Sequence, residues 1–322
     1  MKIGMLFPGY GNQFVGMAKE LYDHSRLMQE YFEEASSCLN INFVKLCFAS
    51  SDIELSKIPN AYPAVFLVGV ATAALLKELS VPINAVAGHG IGEYSALCAA
   101  GGLNFPDGLY LLSKLALFYA HCREELPQRS IKSILINGLS ARKLKQLCSQ
   151  EQNNNACVTH IAVYETKTEH IVTGETQAVD MLLQSLHEAG ADSIEEKVYQ
   201  EGFHTPFLVQ VVEQLKIYLT KVDFKDLAIP LVTGVDAQHI FHAQKAQEAL
   251  IRQITEPLHW HSVLKSFAHA DLLLVPAPAK ALVAELQMYY PHKRIIALQT
   301  VSDLEHVKAS VQELTYSKQL NS

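Results

Sequence analysis

The segment that decides the fold is Asn84 to Gly101, NAVAGHGIGEYSALCAAG. Ala85, Val86 and Ala87 are apolar and read as the end of a buried strand. Gly88-His89-Gly90-Ile91-Gly92 holds too much glycine for a helix or a strand. Glu93 to Ala100 then reads as a helix, because Tyr94, Leu97 and Cys98 recur at i, i+3 and i+4. Strand, tight glycine turn and helix form the context of a nucleophile elbow, G-x-S-x-G, whose central serine stands exposed at the helix N-terminus. Here the frame is G-x-G-x-G and the central residue is Gly90. The turn is built and the nucleophile is absent.

Around this unit lie 322 residues, 49% hydrophobic and 18% charged, enough for one large core plus a smaller subdomain. Lys and Arg number 26 against 33 Asp and Glu, a net charge of −7 with no long basic run, so a nucleic-acid partner is not expected. Met1 to Phe7 is a short apolar start broken by Lys2 and followed by Gly9-Tyr10-Gly11-Asn12. It reads as a core strand rather than a signal peptide. No run of about 18 apolar residues marks a membrane span. Cys38, Cys47, Cys98, Cys122, Cys148 and Cys157 show no C-x-x-C spacing and read as reduced thiols, so a cytoplasmic protein is expected. His239-x-x-His242 and His259-Trp260-His261 have no carboxylate or Cys partner at fixed spacing, and neither a metal nor a cofactor is expected.

In chain order, Lys2 to Phe7 is a strand, followed by a helix from about Val15 into the Asp23 region and another to about Leu39. Ala61 to Leu79 is a long apolar helix with Pro63 near its first turn, where a missing N–H costs least. Phe105 to His121 is the next helix, opened by Pro106-Asp107. From Ile131 to about Val198 the pattern changes. Short segments at Ile131–Asn137, Cys157–Tyr164 and His170–Thr173 alternate with helices near Ser140–Cys148 and Gln177–Glu188, with Gln152–Asn155 as a polar loop. This β-α-β-β-α-β order suggests a ferredoxin-like unit. Pro230 to Val235 reads as a strand, Gln244 to Ile254 as a helix and Leu272 to Pro276 as a late core strand. Thr300 to Val307 reads as a surface turn and helix.

GHGIGEYSALCAAG resembles the GHSLGEYSAL segment of the malonyl-CoA:acyl carrier protein transacylases and of the acyltransferase domains of polyketide and fatty acid synthases. FPGYGNQFVGM, Phe7 to Met17, resembles their FPGQGSQ followed by Gly-Met, with Tyr10 and Asn12 replacing a Gln and a Ser. The apolar helix resembles their T-Q-P-A-L helix, with Tyr62 in place of the Gln. IAVYETKTEHIVTG resembles IANYNSPGQIVISG, with Val163 and Glu165 replacing two asparagines. Gly202-Phe203-His204 resembles an F-H-S segment, and RQITEPLHW resembles QxxxPVxW and keeps Gln253, Pro257 and Trp260. Ala277-Pro278-Ala279-Lys280 stands where the family has E-x-G-P-G. The resemblance runs from Lys2 to about Val307.

It implies an α/β fold: a large α/β-hydrolase-like domain with a short parallel sheet, residues 1–128 and 199–322, and a small ferredoxin-like insert, residues 129–198. By the same resemblance His204 takes the place of the general base and Gln253 that of the group holding it, through its side chain or nearby backbone. The N–H groups of Tyr10 and Ile91 take the place of the oxyanion donors, which are backbone groups and survive side-chain changes. His89, Tyr62, Val163 and Leu115 fall among the acyl-site positions. The family's Arg, which pairs bidentately with the malonyl carboxylate, corresponds to Leu115 when counted from the elbow without a gap, and its Gly to Ala116. Lys114 is adjacent, but on a helix it points about 100° away. A leucine there leaves the carboxylate unpaired, a penalty of several kcal/mol. A neutral acyl chain fits better, or no acyl group at all.

One Ser→Gly exchange accounts for Gly90 alone, not for Tyr10, Tyr62, Leu115 and Val163, so the site reads as diverged. Two function classes remain open. One is a non-catalytic acyltransferase-fold protein that binds an acyl carrier protein, a synthase module or an acyl-CoA-type thioester, with Lys114, Arg123, Lys197 and Lys280 as the candidate docking cluster. The other is an enzyme: a thioester hydrolase using water placed by His204, or a malonyl transferase whose serine was exchanged.

Overall fold

Two short apolar segments carry the glycine turn. β1 (Ile3–Phe7) is buried along its whole length, and β2 (Ala85–Gly88) pairs with it in parallel, Phe7 opposite Gly88. The structure is a computed structural model that describes residues 1–125, 131–155, 158–197 and 203–320. Its further strands are β3 (Ile131–Asn137), β4 (Thr159–Tyr164), β5 (Glu169–Glu175), β6 (Ser193–Lys197), β7 (Leu231–Val232), β8 (His239–Ile240), β9 (Leu272–Pro276) and β10 (Arg294–Leu298). The larger sheet runs β10-β9-β1-β2-β7-β8 and is parallel except at β7–β8. Parallel strands are covered on both faces and need continuous apolar runs, which LLLVP in β9 supplies.

The helix Ile58–Glu78 packs against the helices Phe105–Glu125 and Gly92–Ala99. By length and composition it could cross a membrane, but 83% of its apolar window is buried inside the fold, which makes it the central core helix. It begins before the expected Ala61, with Pro59 in its first turn, so Pro63 is interior and forfeits the bond to the Pro59 carbonyl.

The smaller sheet, β4-β5-β3-β6, is antiparallel. The helices Ala141–Asn155 and Thr176–Glu188 bury Leu144, Val179 and Leu182 against Ile134 and Val172 of that sheet. The chain order is β-α-β-β-α-β, as expected. β4 is tied to the segment between the helices Ala243–Thr255 and Trp260–Ser266, where the Tyr164 N–H donates to the Leu258 carbonyl (2.8 Å) and the Leu258 N–H to the Ala162 carbonyl (2.9 Å).

Several boundaries differ from the sequence reading. Gln152–Asn155 is the last turn of a helix, not a loop, because ARKLKQLCSQEQNNN contains no Gly or Pro to stop it. The helix expected from Val15 starts only at Lys19, since Ala18 adopts a left-handed backbone, φ 57°. The strand expected over Pro230–Val235 is Leu231–Val232 alone, because Thr233 begins a turn closed by the Ala237 N–H on its carbonyl. The C-terminal helix runs on to Leu320 instead of ending near Val307. Cys157, Val198 and Gly202 lie outside the described residues.

Candidate active site

The elbow is as tight as the glycines suggest. A Cβ on Gly88 would stand 1.9 Å from the Gly92 carbonyl carbon, and one on Gly92 would stand 2.5 Å from the Phe7 oxygen. Gly90 sits at φ +53°, the left-handed region favoured by glycine. Yet the space beside it is open: a Cβ there would make only ordinary contacts, 3.5 Å to His204 Nε2 and 4.0 Å to Leu258 Cδ1. The helix after the turn uses the His89, Gly90 and Ile91 carbonyls for the N–H groups of Gly92, Glu93 and Tyr94. The Ile91 N–H makes no hydrogen bond among the described residues, as the first N–H groups of a helix do not.

Across the cleft, His204 Nδ1 lies 2.5 Å from the Gln253 carbonyl oxygen. An acceptor at Nδ1 places the proton there and leaves Nε2 with its lone pair directed at Gly90. Burial lowers the His204 pKa to about 4; the Gln253 carbonyl opposes this, and the charge on nearby His89 adds to it. The imidazole is therefore neutral at pH 7. Its tether is the Gln253 backbone. The Gln253 side-chain Nε2 is buried without a hydrogen-bond partner, as is the Tyr94 hydroxyl.

Tyr10, Tyr62, His89, Gly90 and Ile91 line one cavity of about 120 Å3 together with Leu115, Val163, His204 and Gln253. The catalytic, oxyanion and acyl-site positions singled out from sequence thus meet, while Lys114, Lys197 and Lys280 are not among the lining residues. Leu115 is 2% exposed and faces inward from the helix Phe105–Glu125. Lys114 is turned away, its ammonium 5.4 Å and 5.6 Å from the Tyr110 and Tyr218 ring centres. Tyr10, Tyr62, Tyr119 and Phe203 pack edge to face or tilted, with centroids 5.1 to 6.5 Å apart, and narrow the cavity.

The charged pair in the wall was not visible in the sequence. His89 Nε2 lies 3.1 Å from Glu165 Oε2, 76 residues along the chain. Burial alone would lower the His89 pKa, but the Glu165 carboxylate outweighs it and pushes the value up to about 9. The His89 ring stands edge-on to Trp260 at 4.9 Å, and the Trp260 Nε1–H donates to Glu285 Oε1 at 2.7 Å. Burial, then the Glu165 charge, raises the Glu285 pKa. Among the described cavity residues the only charged side chains are His89 and Glu165, already bound to each other, so the wall offers no free cation to a carboxylate. Tyr119 was also missed, although it follows Leu115 by four residues and shares its helix face. Among the described residues no group of three or more His, Cys, Asp or Glu is placed to hold a metal.

A parallel sheet, a glycine elbow after its strand and an imidazole aimed at the elbow from the opposite wall define an acyltransferase scaffold. The chain belongs to the acyl transferase domain family, whose model matches residues 5–283. Within that family its relatives are malonyl-CoA:acyl carrier protein transacylases. It is 30% identical to the malonyl CoA-acyl carrier protein transacylase of Bacillus subtilis strain 168 over 317 residues, covering 97% of each chain. It superposes on the solved transacylase from Streptococcus pneumoniae with a TM-score of 0.88 and 26% identity, covering 96% of this chain and 99% of that one. It also superposes on a malonyl-transacylase solved with its type II polyketide synthase acyl-carrier protein, with a TM-score of 0.88 and 22% identity, over 96% and 99% of the two chains.

Proposed function

We propose that the protein is a non-catalytic acyltransferase-fold member of this family. It binds an acyl carrier protein or synthase module, with its thioester-borne acyl group, in cytoplasmic fatty acid or polyketide synthesis, and forms no acyl-enzyme. One observation carries this reading: His204 Nε2 is aimed at position 90, 3.5 Å from where a Cβ would stand, and glycine provides no atom to deprotonate. Tyr10 and Ile91 retain the places of the oxyanion donors. The acyl group is neutral, because Leu115 replaces the carboxylate clamp and the His89 charge is spent on Glu165. The large domain comprises residues 1–128 and 199–322 and the insert residues 129–198, with the cleft between them.

A carrier is the partner best supported by the relatives, one of which is solved with its acyl-carrier protein. The net charge of −7 opposes an acidic partner, so docking relies on local cations. Lys197 and the start of the helix Lys280–Tyr289 flank one groove, although Lys197 is paired with Glu195 at 2.9 Å. Lys114 lies over aromatic rings, and the Arg123 side chain is outside the described residues. NMR titration of a holo-carrier protein into the chain tests the proposal. Shifts at low salt that fade at high salt are expected, since exposed charges are screened beyond roughly 8 to 10 Å near physiological ionic strength. No shift at low salt would remove the carrier as partner.

A second reading, thioester hydrolysis, draws on the same geometry. The space at Gly90 admits a water within reach of His204 Nε2, and this would turn over thioesters slowly without a covalent intermediate. Release of free thiol from acyl-CoA, lost in His204→Ala, separates the two readings.

A further inference from the structure

A groove of about 320 Å3 opens between the smaller sheet and the segment after Leu258, and it shares no lining residue with the cavity at Gly90. Lys145 comes to it from the helix Ala141–Asn155, Lys167 and His170 from the β4–β5 hairpin, and His259 and His261 from the segment after Leu258. No carboxylate is among its lining residues, in a chain whose net charge is −7. Neither Lys145 nor Lys167 forms an ion pair among the described residues. The Lys145 ammonium stands 5.3 Å from the Tyr164 ring centre, and Tyr164 stacks on His259 at 4.7 Å and 17°, which gives the groove one flat wall.

His170 is the independent sign of a ligand. It is 1% exposed, and neither ring nitrogen has a hydrogen-bond partner. Burial lowers its pKa, and the Leu139 backbone, the Glu165 charge and the Lys167 backbone oppose this. A buried ring nitrogen without a partner is costly, and an acceptor seated in the groove beside it would relieve that cost. The field in the groove is positive. Burial lowers the pKa of His259 and His261, and Lys145 lowers the first further, as Lys265 and Lys167 do the second; Asp236 at His259 and Glu165 at His170 act the other way.

We propose that this groove binds a phosphate group, either free phosphate or a phosphate monoester carried by a larger molecule. Two ammonium groups and three imidazoles line it from three elements; His261 Nδ1 is already engaged by the Tyr289 hydroxyl at 2.9 Å, and the remaining donors still outnumber the two oxygens of a carboxylate and match the three terminal oxygens of a phosphate dianion. The lysines exclude a metal cation. The site is independent of the reading at Gly90, because no residue is shared.

Histidine side-chain NMR on the full chain tests this in low-salt buffer at neutral pH, with inorganic phosphate, phosphopantetheine and adenosine 3′,5′-bisphosphate titrated separately. The ring signals of His170 and His259 are expected to move and saturate. Lys145→Ala combined with Lys167→Ala, both exposed side chains, raises the Kd about tenfold or more by removing two charge-assisted contacts. Saturation with inorganic phosphate identifies the free ion as sufficient. Saturation only with the organic phosphates, still lost in the double variant, identifies a carried phosphate. Static histidine signals up to about 20 mM of all three probes, or equal binding by the double variant, overturn the proposal.

Discussion

Restoring the hydroxyl, Gly90→Ser, separates what the elbow retains from what the acyl pocket has lost. The new Cβ meets nothing closer than 3.5 Å, so the substitution brings no clash. Its cost is backbone strain at φ +53°, roughly 1–2 kcal/mol for a residue with a Cβ in the left-handed region. For a chain of this size that amounts to a fall of roughly 1.5–3 °C in Tm, about 1.5 °C per kcal/mol. The Oγ comes within hydrogen-bond reach of His204 Nε2, whose neutral ring accepts its proton. The variant is therefore expected to acquire one acyl group from acetyl- or propionyl-CoA, mapped to the peptide containing residue 90 in intact-mass time courses. Malonyl-CoA is expected to react about 100-fold more slowly, since an unpaired carboxylate against Leu115 and beside Glu165 costs about 3 kcal/mol or more. A variant that stays unmodified with every acyl-CoA would refute the reading of His204 as poised over position 90. Malonyl loading as fast as acetyl loading would refute the reading of Leu115.

Adding Leu115→Arg to Gly90→Ser should recover more malonyl loading than the two single changes combined, because nucleophile and clamp act on one bound substrate; additive logarithms of the rates would place residue 115 away from the carboxylate. Glu165→Gln should cost about 1–3 kcal/mol at pH 6 in urea unfolding by removing the partner of His89. The His89 pKa is raised, so the pair's contribution is fully present below about 6.5 and is lost as pH rises through about 9; the gap between wild type and variant should close over that window, and a gap that widens with pH contradicts the assignment.

The backbone of this fold was readable where local chemistry and global packing agree. The Ala85–Gly101 unit was read as strand, turn and helix because three glycines in five residues leave few alternatives. The order of segments from Ile131 to Lys197 revealed the second sheet. Errors fell where polarity was taken for irregularity: Gln152–Asn155 is polar but has no helix breaker. In the site, the resemblance, counted from the elbow without a gap, put Leu115 at the family's Arg position, and it lines the wall; helical periodicity from it could have found Tyr119. The His89–Glu165 pair was beyond such counting. Glu165 read as a lost polar group, and only the meeting of β4 with Leu258 brings it beside the elbow. The resemblance left open whether Gln253 holds His204 through its side chain or its backbone; the backbone carbonyl does so, and sequence could not choose between them, since any residue supplies a carbonyl.

The central claim is that position 90 has the environment of a nucleophile without the nucleophile. Intact-mass analysis of the unaltered chain, after incubation with acetyl-, propionyl-, acetoacetyl- and malonyl-CoA and with an acyl-loaded carrier protein, tests it directly. No mass gain is expected under any of these conditions. A stable gain of one acyl group, located on the peptide spanning Ala85 to Gly101, would contradict it.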